Sequence, residues 1–230
     1  MKFSVIIFPG SNGDQDCVYI LRDLLKQDVI EVFHTEENLP KETDCVVLPG
    51  GFSYGDYLRA GAIARFSKIT NSIIDFAKKG GLVFGSCNGF QILCEMGLLP
   101  GTLTKNKSLS FICDDVYLKV VNNKTPFTNQ YKEGGVIKMP IAHGEGNYVS
   151  KNIKKEQIVF QYCDKNGNIT EESNPNGSML NIAGIASSFF NVLGMMPHPE
   201  RASESILGSK DGIKLFESII NSKVKKEALV

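Results

Sequence analysis

A cysteine becomes a nucleophile when the chain holds it clear of its neighbours and brings a base to it. Of the six cysteines, Cys87 has those surroundings. It stands in GLVFGSCNGFQILCEMG, residues 81–97. The apolar run Leu82-Val83-Phe84 reads as a strand, Gly85-Ser86-Cys87-Asn88-Gly89 as a tight turn of small residues, and Phe90, Leu93 and Met96 carry helical spacing. Strand, tight turn and helix form an elbow that lifts its apex residue out of a sheet, here with a thiol at the apex. The following helix would aim its free N–H groups and the positive end of its dipole at the sulfur. A buried thiol in an ordinary βα turn is the competing reading, and it is the one expected for the other five cysteines.

A thiol nucleophile needs a base, and the chain offers His34, His143 and His198. His198 lies in MMPHPER between two prolines, which fix the backbone and oppose a helix. Glu200 is two residues on, and in an extended segment side chains at that spacing point the same way, so the carboxylate can hold the imidazole in one tautomer. A lone His-x-Glu is also what a surface loop carries. His143, in HGEGNY, is the rival base; His34 follows a short strand and reads as a surface residue. PGGFSYGD, residues 49–56, puts adjacent glycines at a strand end, where the Gly51 backbone N–H could meet a developing oxyanion. PGSNGDQD, residues 9–16, has the composition of a phosphate-cradling loop but neither G-x-G-x-x-G nor a P-loop lysine, so nucleotide binding is not expected there.

These loops need elements to carry them. Strands are expected over 3–8, 29–33, 45–48 and 82–84. Helices are expected over 15–26, from Val18, Leu21, Leu24 and Leu25, and over 63–79, ending at Gly80-Gly81. That alternation predicts a flavodoxin-like α/β fold: a mostly parallel sheet with helices on both faces. The loops at 9–16, 49–59, 85–89 and 197–201 would then share the carboxyl ends of the strands, where sites form in open α/β sheets. From about 103 to 181 helical spacing is absent, and 116–121, 136–141 and 158–163 read as strands, the last running into a KNGN turn. This is an antiparallel β-rich insertion within one domain spanning 1–230. Strands over 182–188 and 192–196 return, a helix over 211–220 follows, and the charged tail from Ser222 is expected to fray.

Composition narrows the function classes. Lys and Arg number 25, matched by 25 Asp and Glu, so there is no electrostatic case for nucleic acid or an anionic membrane. No apolar run approaches a bilayer span and Val5–Phe8 is too short for a signal peptide, which predicts a cytoplasmic protein with free thiols. Scattered histidines and no CxxC pair argue against a metal site. Cys94 and Cys113 read as core thiols.

Taken together, GSCNGFQIL, LPGGFSYGD and PHPER resemble the nucleophile, oxyanion and His-x-Glu motifs of the class I glutamine amidotransferases. FPGSNGDQD, GGFSYGDYLRAGAIAR, PIAHGEGNY, NPNGS, NIAGI and MPHPER narrow the resemblance to the small glutaminase subunits of phosphoribosylformylglycinamidine synthase, in purine biosynthesis, over most of the chain from Phe3 to Arg201. The resemblance implies a Cys87-His198-Glu200 triad that hydrolyses glutamine to glutamate and ammonia. It implies Gly51 and Asn88 backbone N–H groups as the oxyanion donors, and Gln91 and His143 against the glutamine. It implies no cofactor in this chain. ATP and magnesium would serve a large synthetase subunit that consumes the ammonia in converting formylglycinamide ribonucleotide to formylglycinamidine ribonucleotide, often joined by a small bridging protein. Tyr57 and Arg59 mark a loop where such a partner could dock. Two rival classes stay open on the residues alone: a peptidase or deglycase on a related fold, and a non-catalytic regulatory subunit. The first tends to keep its histidine close to the cysteine, whereas here the two are 111 residues apart. The second has no use for Cys87, Gln91, His198 and Glu200 together.

Overall fold

The structure, a computed structural model, describes residues 1–227, with side chains through 223. The β-branched run near the N-terminus forms β1 (Lys2–Ile7), which pairs in parallel with β2 (Asp28–Phe33) on one side and β3 (Cys45–Leu48) on the other. β3 pairs with β4 (Leu82–Ser86), and β4 with β11 (Val192–Met195), both in parallel. The order β2-β1-β3-β4-β11 is the flavodoxin pattern.

The same sheet continues through β10 (Ile182–Ala186), β9 (Ile158–Cys163), β6 (Ile112–Val120) and β7 (Val136–His143), with every pairing antiparallel. The residues from 103 to 181 therefore supply strands to one nine-stranded sheet. β5 (Thr102–Thr104) and β8 (Asn147–Val149) form a separate two-stranded ribbon. The KNGN turn forms, with Gly167 N–H donating to Asp164 O, but no strand returns directly from it: β10 begins only at Ile182.

Helices cover both faces. α1 (Asp14–Val18), the wider helical turns of Tyr19–Leu24 and α4 (Ile213–Glu227) bury Cys17, Leu21, Leu215 and Phe216 against one face. α2 (Ile69–Lys78) and α3 (Asn88–Glu95) bury Ile69, Ile73, Phe90 and Leu93 against the other. Each apolar stripe removes its side chains from water at roughly 1.5–3 kcal/mol per large residue, which is what fixes the sheet between two cores.

Three expectations shift. The helix expected from Ile63 starts at Ile69: Ala64–Phe66 is a single tight turn, and Ser67 is extended (ψ 148°) with its hydroxyl 2.8 Å from Tyr54 Oη. The tail expected to fray at Ser222 is helical to Glu227; 228–230 lie outside the described residues. Cys113 is exposed, not a core thiol, because β6 pairs with β9 only over Tyr117–Val120 and its first half projects past that neighbour. Cys94 is buried. Among the described residues no helix is long and apolar enough to cross a membrane.

Candidate active site

The four loops singled out by sequence follow β1, β3, β4 and β11, which run parallel, so all four meet at one edge of the sheet. They are tied to one another. Asn12 and Gly13 N–H donate to Gly50 O at 3.2 and 3.1 Å, and Phe52 N–H donates to Gly10 O at 2.9 Å. Those bonds flank Gly51, whose own N–H is left out of the pairing. Gly51 has φ +149°, and a Cβ there would lie 2.7 Å from Gly10 O, so no other residue fits this crossing.

Cys87 is the apex of the elbow. Its φ of 50° and ψ of −108° are a strained combination for a residue with a side chain, held by a backbone bond from Cys87 N–H to Met195 O at 2.8 Å. Asn88 opens α3, so its N–H has no partner within the helix. The sulfur lies 3.6 Å from Ala142 O on β7.

His198 and Glu200 are almost wholly buried, and Nδ1 of the ring is 2.6 Å from Glu200 Oε1. The contact does not arise in an extended segment, as the i, i+2 spacing suggests. His198 alone is extended, and Pro199–Arg201 forms one tight turn that folds the carboxylate back beneath the ring. His198 N–H donates to Pro140 O on β7 at 2.9 Å. Proline is tolerated there because β7 is an edge strand. Ser86 Oγ donates to Glu200 Oε1 at 3.4 Å, while among the described residues Glu200 Oε2 and His198 Nε2 have no nitrogen or oxygen partner, and the Cys87 sulfur is the group that acts on the ring from that side. Gly50 keeps the approach open: a Cβ there would lie 2.6 Å from His198 Cε1 and 3.5 Å from Cys87 Cβ.

Burial alone would push the His198 imidazole down. The Glu200 carboxylate and the Cys87 sulfur beside it outweigh that and raise it to about 10, so the ring carries its proton at neutral pH. Burial pushes the Cys17, Cys45 and Cys94 thiols well up, which leaves them inert core groups.

A cavity of about 190 Å³ opens on the sulfur, lined by Gly51, Phe52, Asp56, Cys87, Gln91, Phe111, Ala142, His143, Gly144 and Glu145. Phe52 and Phe111 stack across its mouth with ring centroids 6.3 Å apart, one from each half of the sheet. One wall is a chain of hydrogen bonds. Asn88 Oδ1 accepts from Ser53 N–H at 3.1 Å, and Asn88 Nδ2 donates to Asp56 Oδ1 at 3.2 Å and to Gln91 Oε1 at 2.8 Å. Gln91 Nε2 donates to Glu145 O at 2.6 Å.

The structure thus brings together Cys87, Gly51, Gln91 and His143 around the cavity, with His198 and Glu200 behind the sulfur and Asn88 in its wall. His143 is not placed as a base. Asn106 Nδ2 donates to Ser110 O and His143 O, so Asn106 Oδ1 can only accept, and His143 Nδ1–H donates to it at 3.1 Å. Asn176 Nδ2 approaches Nε2 at 3.5 Å. Burial, then the charge of His198, lower the imidazole to about 4, so His143 is a neutral residue that shapes the segment 142–145. His34 is also not free at the surface: its Nδ1 is 2.8 Å from Tyr54 Oη. Arg59 is held by Glu95 through two bonds of 2.8 and 2.6 Å, while Tyr57 and Leu58 beside it are exposed. Sequence reasoning passed over Asp56 and Glu145, although both sit inside motifs it had singled out. The signal was available in the two carboxylates at loops next to a nucleophile. No group of three or more His, Cys, Asp or Glu that could hold a metal occurs among the described residues.

Residues 1–218 match the CobB/CobQ-like glutamine amidotransferase domain. The chain is 62% identical over 221 residues to the phosphoribosylformylglycinamidine synthase subunit PurQ of Pseudothermotoga lettingae, covering 95% of this chain and 94% of that one. It is 56% identical to the PurQ subunit of Moorella thermoacetica, covering 96% of each. Among solved structures, a chain of the PurLQS complex from Thermotoga maritima is similar at TM-score 0.87 and 44% identity, covering 96% of this chain and 98% of that chain. A glutamine amidotransferase from Thermotoga maritima shares the fold, with TM-score 0.57 at 15% identity over 99% of this chain and 85% of that one.

Proposed function

The chain belongs to the CobB/CobQ-like glutamine amidotransferases, and within them to the PurQ subunits of phosphoribosylformylglycinamidine synthase; from that membership we propose that Cys87, His198 and Glu200 are the triad through which it works. It is the glutaminase subunit of that enzyme in purine biosynthesis, and it works with the PurL synthetase subunit in a multisubunit complex.

Cys87 attacks the side-chain amide carbon of glutamine. The tetrahedral oxyanion is met by the Gly51 and Asn88 backbone N–H groups, each worth roughly 3 kcal/mol at the barrier. Protonated His198 gives its Nε2 proton to the departing nitrogen, so ammonia leaves and a glutamyl thioester remains. Neutral His198 then takes a proton from water as the water attacks the thioester, and glutamate leaves. Glu200 holds the ring through Nδ1 and balances its charge. Gln91 and Asn88 brace the cavity wall. The ammonia serves a reaction on the partner: PurL, using ATP and magnesium, converts formylglycinamide ribonucleotide to formylglycinamidine ribonucleotide, with a small bridging subunit completing the assembly. The exposed Tyr57 and Leu58, in the loop that follows Asp56, are where that partner docks, and the setting is the cytoplasm.

The observation that carries this reading is the buried Nδ1–Oε1 contact of 2.6 Å behind a strained cysteine, whose sulfur acts on the His198 ring. The test is glutamate release from glutamine by the reconstituted complex. Cys87→Ser is expected to lose at least about 10⁴-fold in kcat. Activity equal to native would overturn the assignment.

A further inference from the structure

We propose that Arg201 is a positioning residue for the glutaminase reaction: through Asp16 and Asn12 it ties the loop of residues 9–16 to the triad turn, so that the Gly51 donor and the Glu200 carboxylate are held in one frame. This rests on the triad reading of Cys87, His198 and Glu200 and deepens it.

The loop joins β1 to α1 and touches both sides of the machinery. Its composition suits a phosphate cradle, but its N–H groups are committed within the protein. Asn12 and Gly13 donate theirs to Gly50 O, Ser11 donates to Phe8 O at 3.0 Å, and Gly10 O takes the Phe52 N–H. Ser11 and Gly51 face each other as an isolated antiparallel bridge. The place of Gly51 is therefore set by this loop as well as by β3.

The other side of the loop faces the triad turn. Gly13 is bare toward Glu200: a Cβ there would lie 3.4 Å from Oε1 and 3.3 Å from Gly50 N. Arg201 Nε donates to Asp16 Oδ2 at 3.1 Å, and Nη2 reaches Asn12 Oδ1 at 3.5 Å. Arg201 also closes the turn Pro199–Arg201, with its N–H on His198 O at 3.1 Å. A side chain anchored at the end of that turn restrains the turn as a whole, and with it the carboxylate that meets His198 Nδ1.

Stability does not call for this tie. The Arg201 and Asp16 side chains are 33% and 46% exposed, and an ion pair that wet contributes little to folding. The guanidinium is nonetheless placed close to the site: burial opposes its charge, while Glu200, Asp16 and Cys87 favour it and prevail. Arg201, Asp16 and Asn12 stand outside the set of residues that line the cavity, so their effect must pass through the groups they hold. A misplacement of about 1 Å at a reacting group can cost about 100-fold in rate.

The test is steady-state glutamate release by the reconstituted complex. Arg201→Met and Asp16→Ala are each expected to lower kcat about 10–100-fold while KM for glutamine stays within about 2-fold. Arg201→Lys keeps a charge for Asp16 and should recover most of the loss. The double variant should fall no further than the worse single one, because both substitutions remove the same tie. Native kcat in Asp16→Ala, a loss carried by KM, or a double variant that loses the product of the two single effects would each overturn the positioning role. If Arg201→Met does not fold, Asp16→Ala and Arg201→Lys decide the matter on the same readouts. Cys87→Ser releasing as much glutamate as native would instead sink the triad reading beneath it.

Discussion

The sheet has two halves that build one cavity by different means. In the parallel half, every proposed catalytic group lies within a few residues of a strand's carboxyl end: Gly51 after β3, Cys87 after β4, His198 and Glu200 after β11. In the antiparallel half, the cavity residues are held by side chains distant in sequence. Asn106 grips His143 across 37 positions, and Asn176 meets the same ring across 33. The first half holds the proposed reacting groups and tolerates strain at Cys87; the second is a buried polar network that shapes the segment 142–145. The difference teaches that the reacting groups are positioned by topology, and the substrate-facing wall by buried hydrogen bonds. Damage should therefore separate cleanly into lost rate in one half and lost stability in the other.

The largest separation is expected at Glu200→Gln. The amide can still sit beneath His198 but cannot balance a protonated ring, and it can hold the wrong tautomer. The complex should lose about 10³–10⁴-fold in kcat, by analogy with triads whose orienting acid is made an amide. Thermal unfolding of the isolated subunit should move little beside that loss. Near-native kcat would mean that Glu200 is not the orienting group.

Asn106→Ala should do the reverse. It strips partners from His143 O, His143 Nδ1 and Gly146 N–H in a buried setting, and from Ser110 O nearer the surface. At about 1–3 kcal/mol for each buried group left without a partner, partly offset by relaxation, the loss should be about 3–5 kcal/mol in denaturant unfolding. A loss below about 1 kcal/mol would show that the network is not what holds segment 142–145.

The same contrast explains what could be read from the chain. The elbow at Cys87 and the His198-Glu200 pair announce themselves because residue type, spacing and strand end coincide within each short segment. The pairing of His198 with Glu200 was legible, but the tight turn that achieves it was not, since Pro199 can open a turn as readily as continue a strand. Asn106 gave no signal, and Asn176 only its place in NPNGS: the role of a buried asparagine is recognisable only from its partners, which here are His143 on β7 and, for Asn176, also Tyr162 on β9. Asp56 was hidden by its glycine-rich surroundings, which read as a plain turn. Its orientation depends on a left-handed backbone at Asp56 itself and at Tyr54, and a tyrosine gives no sign of that conformation.

The smallest expected effect sets two histidines against each other by pH. His143 is lowered to about 4 by burial and the charge of His198. Unfolded, it takes up a proton near 6.5; folded, it resists until about 4. Stability is therefore lost as pH falls through that window, by up to about 3 kcal/mol at about 1.36 kcal/mol per pH unit. His198, raised by Glu200 and Cys87, has the opposite sign: its contribution is complete below pH 6.5 and is lost as pH rises toward about 10. Denaturant unfolding of native protein and His143→Asn between pH 4 and 6.5 should give a shallower slope for the variant by about one proton's worth. At pH 5.5 the imidazole resonances of His143 should be those of a neutral ring and those of His198 those of a charged ring. A protonated His143 at that pH would reverse its assignment as a neutral support and make it again a rival for the base.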